Sequence, residues 1–382
     1  MLKLLFASSL IFSSCSVLSN NLTTEELRIE AATHAMPQVL TAFADEVSQF
    51  EQQWKSLNNF KHATDLITDY SNQLWLNAKQ RITTTKNYDD RELYWARLLS
   101  SKIIRSVKPK FTLSVAEQNS LLTQLEKGSR GHNDLSFTKG STKKIILTGF
   151  DPFLLDKNIN QSNPSGVAAL LLDGQVINYQ GISAEINTVM VPVRYADFDQ
   201  GIIEALLAPY YALNNVDMIV TVSMGRKDFD LERFPGKRRS VTTPDNANII
   251  FGGTQTAPLL PSLNNQPLPG NEFVQFSLPV ANMQQAKGSY KVIDNHKITT
   301  LKKTYEPATL AELQNSIAVN GSGGGYLSNE ISYRSIRLRN QLNSTIPTGH
   351  IHTPRIQQFE PETEAKIVKQ ITAMLEHSLS AL

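Results

Sequence analysis

Apolar residues recur every three or four positions through the first third of the chain, the spacing of an amphipathic helix. Thr23 and Thr24 with Glu26 and Leu27 open such a run, which continues through Ala42, Phe43, Val47, Phe50 and Trp54. Leu66, Ile67, Tyr70, Leu74, Trp75 and Ala78 form a second. A third, Asp89 to Leu99, begins with acids and ends with bases, matching a helix dipole. The three tryptophans, Trp54, Trp75 and Trp95, all fall in these helices. An aromatic stripe at helical spacing reads as core rather than as a ligand site.

A polar, glycine-bearing stretch from Lys127 to Ser141 then separates this region from a different pattern. Lys144–Thr148, Ile186–Val191 and Met218–Val222 are apolar runs of strand length. Helical stretches at Ser165–Leu172 and Phe198–Leu213 lie between them. Buried strands alternating with helices predict a three-layer α/β/α domain with a mainly parallel sheet. Residues 251–320 are rich in Pro, Gly, Asn and Gln and predict an irregular, inserted segment. Glu360–Leu382 closes the chain as an amphipathic helix. The expected organisation is a leader at residues 1–22, an all-helical module at 23–140, and the α/β domain at 141–382.

Composition narrows the classes. Of 382 residues, 37 are Lys or Arg and 35 Asp or Glu, so the formal charge of +2 gives no ground for a nucleic-acid surface. The single cysteine excludes an internal disulfide and any Cys-based zinc or iron–sulfur site. That residue, Cys15, follows a positive start at Lys3 and a short apolar run from Leu4 to Phe12. The run is too short to span a bilayer and reads as a secretory leader. Ser13–Ser14–Cys15 also resembles a lipoprotein signal, which would place a lipid anchor on Cys15. Both readings, lipidation and simple cleavage, predict an exported protein whose folded part has no thiol.

In open parallel sheets the chemistry gathers at the carboxyl ends of strands. After the first apolar run comes Thr148–Gly149–Phe150–Asp151–Pro152–Phe153, then Asn163–Pro164–Ser165. After the third comes Ser223–Met224–Gly225–Arg226, then Leu231–Glu232–Arg233 and Pro244–Asp245–Asn246. Gly321–Glu330 and His350–Ile351–His352–Thr353–Pro354 follow. This set, over about residues 143–380, resembles the pyroglutamyl-peptidase I family, cysteine hydrolases with a Cys–His–Glu triad. The resemblance implies removal of an N-terminal pyroglutamyl group from a small peptide or amide, with no cofactor and no metal. Glu232 and His352 match the catalytic Glu and His, and Phe150 and Phe153 match the aromatic pair that holds the ring.

Departures surround the nucleophile. Where the family has Tyr-Val-Cys-Asn, this chain has Tyr326–Leu327–Ser328–Asn329. Val222, Lys237, Thr242 and Glu330 stand at positions of the family's Gln, Asn, Arg and His. A hydroxyl attacks only when a base takes its proton and a third group orients that base. Ser328, His352 and Glu232 have the residue types for that, with Gly323–Gly325 as an expected oxyanion cradle. The competing reading makes Ser328 a helix N-cap in an inactive site, which leaves a peptide- or ligand-binding protein. A basic cluster of Arg226, Lys227, Arg233, Lys237, Arg238 and Arg239 reads as a solvated loop or an anion contact. It lacks the interleaved aromatics of a nucleic-acid surface. Oligomeric state stays open, because family members self-associate and the added helices would cover those surfaces.

Overall fold

A computed structural model describes residues 22–138, 140 and 143–382. Cys15 and the leader up to Asn21 lie outside the described residues. Four longer helices follow three short helical turns: α1 (Ala44–Ser56), α2 (Phe60–Thr85), α3 (Arg91–Ser106) and α4 (Val115–Gly128). Ser114 and Glu117 form a reciprocal capping box at the start of α4, and the Asn59 side chain caps α2.

Among the described residues, seven strands make one mixed sheet: β1 (Lys143–Phe150), β2 (Val176–Tyr179), β3 (Ile182–Val191), β4 (Met218–Met224), β5 (Phe229–Glu232), β6 (Val292–Asn295) and β7 (Thr348–Thr353). Their spatial order is β2-β3-β1-β4-β7-β5-β6. The central four, β3, β1, β4 and β7, run parallel, while β2 and the β5–β6 pair run against them. The fold is the three-layer α/β/α arrangement expected. Alternation along β1 separates the two cores: Ile145 and Leu147 face α5 (Pro164–Leu172) and α8 (Pro361–Ser378), whereas Ile146 faces α6 (Ile202–Leu213) and α7 (Leu327–Gln341).

The pattern missed β7, whose Thr–Gly–His–Ile–His–Thr sequence is not an apolar run, and three short strands. β2, β5 and β6 hold four residues each, too few to establish a period. The stretch expected to be irregular supplies β6 to the main sheet and a separate three-stranded sheet from Ile298–Thr300, Thr304–Tyr305 and Ala318–Asn320.

The N-terminal helices pack directly on the α/β layers. Leu74, Trp75 and Ala78 of α2 join the core that contains β1 and α5. Tyr94 and Trp95 of α3 pack with Leu155, just beyond the Gly149–Phe153 stretch. Trp54, Trp75 and Trp95 are all buried, as the stripe predicted. The helices also send charge inward: Arg97 and Arg130, both buried, reach the fully buried Asp151 at 3.1 and 2.5 Å. Among the described residues no helix is long and apolar enough to cross a membrane.

Candidate active site

β1 delivers Phe150 and, just past its end, Asp151 and Phe153. The strand can come so close to α5 only because residue 149 is glycine: a Cβ there would lie 2.2 Å from the Ser165 carbonyl oxygen. Ser165 in turn accepts the Phe150 N–H on its hydroxyl at 3.0 Å, and Asn163 caps α5. Phe150 is buried and stacks on Phe198 at 6.3 Å, so it is core and pocket wall together. Phe153 is half-buried and tilts against Tyr326 at 6.5 Å.

β5 and β7 bring Glu232 and His352 together. The strands are antiparallel with His352 opposite Asp230, which sets Glu232 beside the imidazole. Glu232 Oε1 lies 2.5 Å from His352 Nδ1, and Glu232 is fully buried. Burial pushes the Glu232 carboxyl above its ordinary pKa, and the facing imidazole pulls it back. Asn295 of β6 donates to the other carboxylate oxygen at 3.0 Å. Nε2 of His352 has no hydrogen-bond partner among the described residues. That is the arrangement of an oriented base with one nitrogen free.

Ser328 is the second residue of α7. The helix cap is Tyr326, so Ser328 is not the N-cap that one reading expected. Its hydroxyl donates to the Gly323 carbonyl at 3.5 Å and not to His352. A Cβ on Gly323 would lie 3.5 Å from His352 Cε1, so this loop borders the imidazole. The Gly324 N–H, part of the expected oxyanion cradle, is consumed in a turn with Gly321. The N–H groups of Leu327, Ser328 and Asn329 lie in the first turn of α7, where no intrahelical acceptor exists.

Phe150, Phe153 and Ser328 share a pocket of about 30 Å³ with Asn163, Val193, Ser223, Met224, Tyr326 and Leu327. Glu232 and His352 are not among its lining residues. Its volume suits water more than a ring, and four of its lining residues, Phe153, Met224, Tyr326 and Ser328, are half-buried. Ser223 and Tyr326 stood in the quoted motifs, yet residue type alone marked neither as pocket wall. A larger cavity, about 970 Å³, lies between α3, α4 and α6 and contains none of the candidate residues. Among the described residues no group of three His, Cys, Asp or Glu is placed to hold a metal ion.

Several departures from the family pattern have structural roles. Glu330 is buried between Arg239 and Arg334, at 2.6 and 2.8 Å. Burial alone would raise its pKa, but the two guanidiniums hold it below the ordinary value. Val222 is buried core, and Thr242 is exposed. The basic cluster is mostly neutralised in place: Arg233 pairs with Asp294, Arg238 with Glu272, and Arg239 with Asp199 and Glu330. Arg226, 62% exposed, lies 3.9 Å from Glu232.

Two family profiles match the sequence. One described as the PA0049 N-terminal domain covers residues 7–126, and one described as the PA0049 C-terminal domain covers 144–274 and 280–357. The uncharacterized protein PA0049 of Pseudomonas aeruginosa is 27% identical over 396 aligned positions, covering 79% of this chain and 71% of its own. Among solved structures, a mutant pyrrolidone carboxyl peptidase from Pyrococcus furiosus is similar at 20% identity and a TM-score of 0.42, covering 62% of this chain and 98% of that one. Pyroglutamyl peptidase I of Bacillus amyloliquefaciens is similar at 18% identity and a TM-score of 0.41, covering 62% and 97%.

Proposed function

The chain belongs to the PA0049 family, and from that premise we propose that it is a hydrolase that removes an N-terminal pyroglutamyl group by acyl transfer through Ser328, His352 and Glu232. The observation that carries this reading is the 2.5 Å contact between Glu232 and His352 Nδ1, with Nε2 left free. The order of the motifs, resembling pyroglutamyl peptidases, supports the substrate class.

In this reading the Ser328 side chain rotates away from the Gly323 carbonyl to meet Nε2. Its oxygen attacks the scissile carbonyl while His352 takes the hydroxyl proton. Glu232 holds the imidazole in the Nδ1–H form and stabilises the imidazolium. The first-turn N–H groups of α7 face the developing oxyanion. The amine leaves with the proton from His352, and water attacking the acyl-serine, deprotonated by the same imidazole, releases pyroglutamate and restores Ser328. Phe150, Phe153 and Tyr326 supply an aromatic wall for a small neutral ring. The leader at residues 1–22 accompanies this reading with export, which cell fractionation tests through the protein's compartment.

A second reading rests on the Ser328 hydroxyl, which bonds to Gly323 rather than to His352. Here the pocket persists as a ligand-binding site without turnover. One assay separates the two: hydrolysis of a pyroglutamyl fluorogenic amide by wild type, Ser328→Ala and Ser328→Cys. Turnover in wild type that vanishes in Ser328→Ala supports the serine triad. Turnover that exists only in Ser328→Cys overturns it and identifies a scaffold whose hydroxyl is idle.

A further inference from the structure

A second imidazole stands directly behind the pocket. β4 and β7 are parallel with Thr221 opposite His350 and Ser223 opposite His352, so all four side chains lie on one face of the sheet. His350 is fully buried and sits edge-on to the His352 ring at 4.8 Å. Its Nδ1 is 2.8 Å from the Thr221 hydroxyl and its Nε2 is 2.8 Å from the Ser223 hydroxyl.

The protons in this chain can be assigned in order. Thr221 has one hydroxyl proton, and we assign it to the Gly349 carbonyl at 3.3 Å, because only that placement satisfies the carbonyl contact and the 2.8 Å contact to His350 Nδ1 together. Toward His350 the Thr221 oxygen therefore accepts, so Nδ1 carries the hydrogen. Burial, and the neighbouring His352, hold His350 well below the ordinary histidine pKa, so the ring is neutral and Nε2 is bare. Ser223 then has one place for its own proton, and that place is Nε2.

The consequence lies on the pocket side. Ser223 borders the pocket with its hydroxyl hydrogen already committed, so it offers only lone pairs to an occupant. Of the other polar lining side chains, Asn163 spends its oxygen on Ser165 and one N–H on the Asp151 carbonyl, and Ser328 donates its hydroxyl hydrogen to the Gly323 carbonyl. Most of the remaining lining, from Phe150 to Leu327, is apolar. We propose that Ser223 is the specificity-determining acceptor of this pocket, taking the ring N–H of a lactam and rejecting rings of the same shape that lack it. The proposal rests on the pyroglutamyl reading for the ring's identity, but it assigns the discrimination to a residue outside the triad. A buried acceptor left facing a ring oxygen loses one hydrogen bond and gains a lone-pair clash, which corresponds to roughly ten- to hundredfold in affinity.

The test uses two stable ligands, pyroglutamate and its ring-oxygen counterpart, 5-oxotetrahydrofuran-2-carboxylate, titrated calorimetrically into the full-length protein. Wild type is expected to bind the lactam roughly ten- to hundredfold more tightly. Ser223→Ala is expected to lose that preference through weaker lactam binding while the affinity for the ring-oxygen ligand holds. A general packing defect would weaken both. Should Ser223→Ala fold poorly by circular dichroism, Ser223→Cys takes its place, since sulfur is a weak acceptor. Equal affinities in wild type, no binding of either ligand, or a preference that survives both substitutions overturns the proposal. Failure of the pyroglutamyl-hydrolase reading looks different: wild type would discriminate between the ligands yet leave the pyroglutamyl amide uncleaved.

Discussion

Glu232 Oε1 and His352 Nδ1 meet at 2.5 Å in a site where the carboxylate has no exposure to solvent. This geometry lets the carboxylate fix which nitrogen of the imidazole carries the hydrogen and stabilise the imidazolium when it forms. Glu232→Gln keeps the shape and removes the charge, so the imidazole can settle in the wrong tautomer. Hydrolysis of a pyroglutamyl amide is expected to fall roughly ten-thousandfold in kcat, as in triads that lose their acid, with the thermal midpoint little changed. Steady-state kinetics beside a melting curve checks both; a loss under tenfold would remove Glu232 from the mechanism.

Gly225 supports the same imidazole from below. A Cβ at that position would lie 2.5 Å from His352 Cβ and 2.8 Å from its Cγ, with the Thr353 carbonyl oxygen at 3.0 Å. Gly225→Ala must therefore push the ring away from Glu232. A displacement near 1 Å is expected to cost about a hundredfold in kcat, with overpacking lowering stability by about 1–3 kcal/mol. Unfolding in urea separates the two effects. Activity equal to wild type would mean that the ring's position is not critical.

What could be read from the residues follows from length and local contrast. β1, β3 and β4 announce themselves as apolar runs because both of their faces are covered. Glu232 and His352 were legible as motif residues, yet their contact depends on β5 pairing antiparallel with β7, and β5 is a four-residue strand that no periodicity reveals. The orientation of the Ser328 hydroxyl and the depth of Ser223 in the pocket are matters of ångströms that no spacing encodes. The basic cluster misled in a different way: its charges look free in one dimension and are paired by acids distant in sequence, such as Asp294 and Glu272.

Asp151 ties the N-terminal helices to the pocket loop. Arg97 and Arg130 both reach it, and its neighbours Phe150 and Phe153 are pocket walls. Asp151→Ala leaves Arg97 without a carboxylate partner in full burial, whereas Arg130 keeps Glu126. An orphaned buried charge of this kind costs about 3–5 kcal/mol, to be read from the urea midpoint at constant slope. Arg97→Met with Asp151→Ala removes the orphan as well and is expected to recover part of the loss. If the double variant proves as unstable as the sum of the singles, the pairing is not what holds this corner.

His350 makes stability depend on pH in a defined direction. Burial, and His352 beside it, keep its folded pKa well below the ordinary histidine value of 6.5. The unfolded chain therefore binds a proton near that value while the folded one does not, so stability rises with pH across the interval. The contribution is fully present above 6.5 and is lost as pH falls below it toward the folded pKa. Between about pH 7 and about pH 5 this single group takes away about 2 kcal/mol. His350→Gln lacks the titrating group, so its stability should fall by about 2 kcal/mol less than that of wild type over the same interval. Parallel urea titrations at the two pH values give the difference directly, because histidines common to both proteins, including buried His132 with its pKa lowered to about 4, cancel. Identical slopes in the two proteins would mean that His350 takes up its proton in the fold as readily as in the unfolded chain, which removes the support that a neutral buried ring gives to Ser223 as an acceptor.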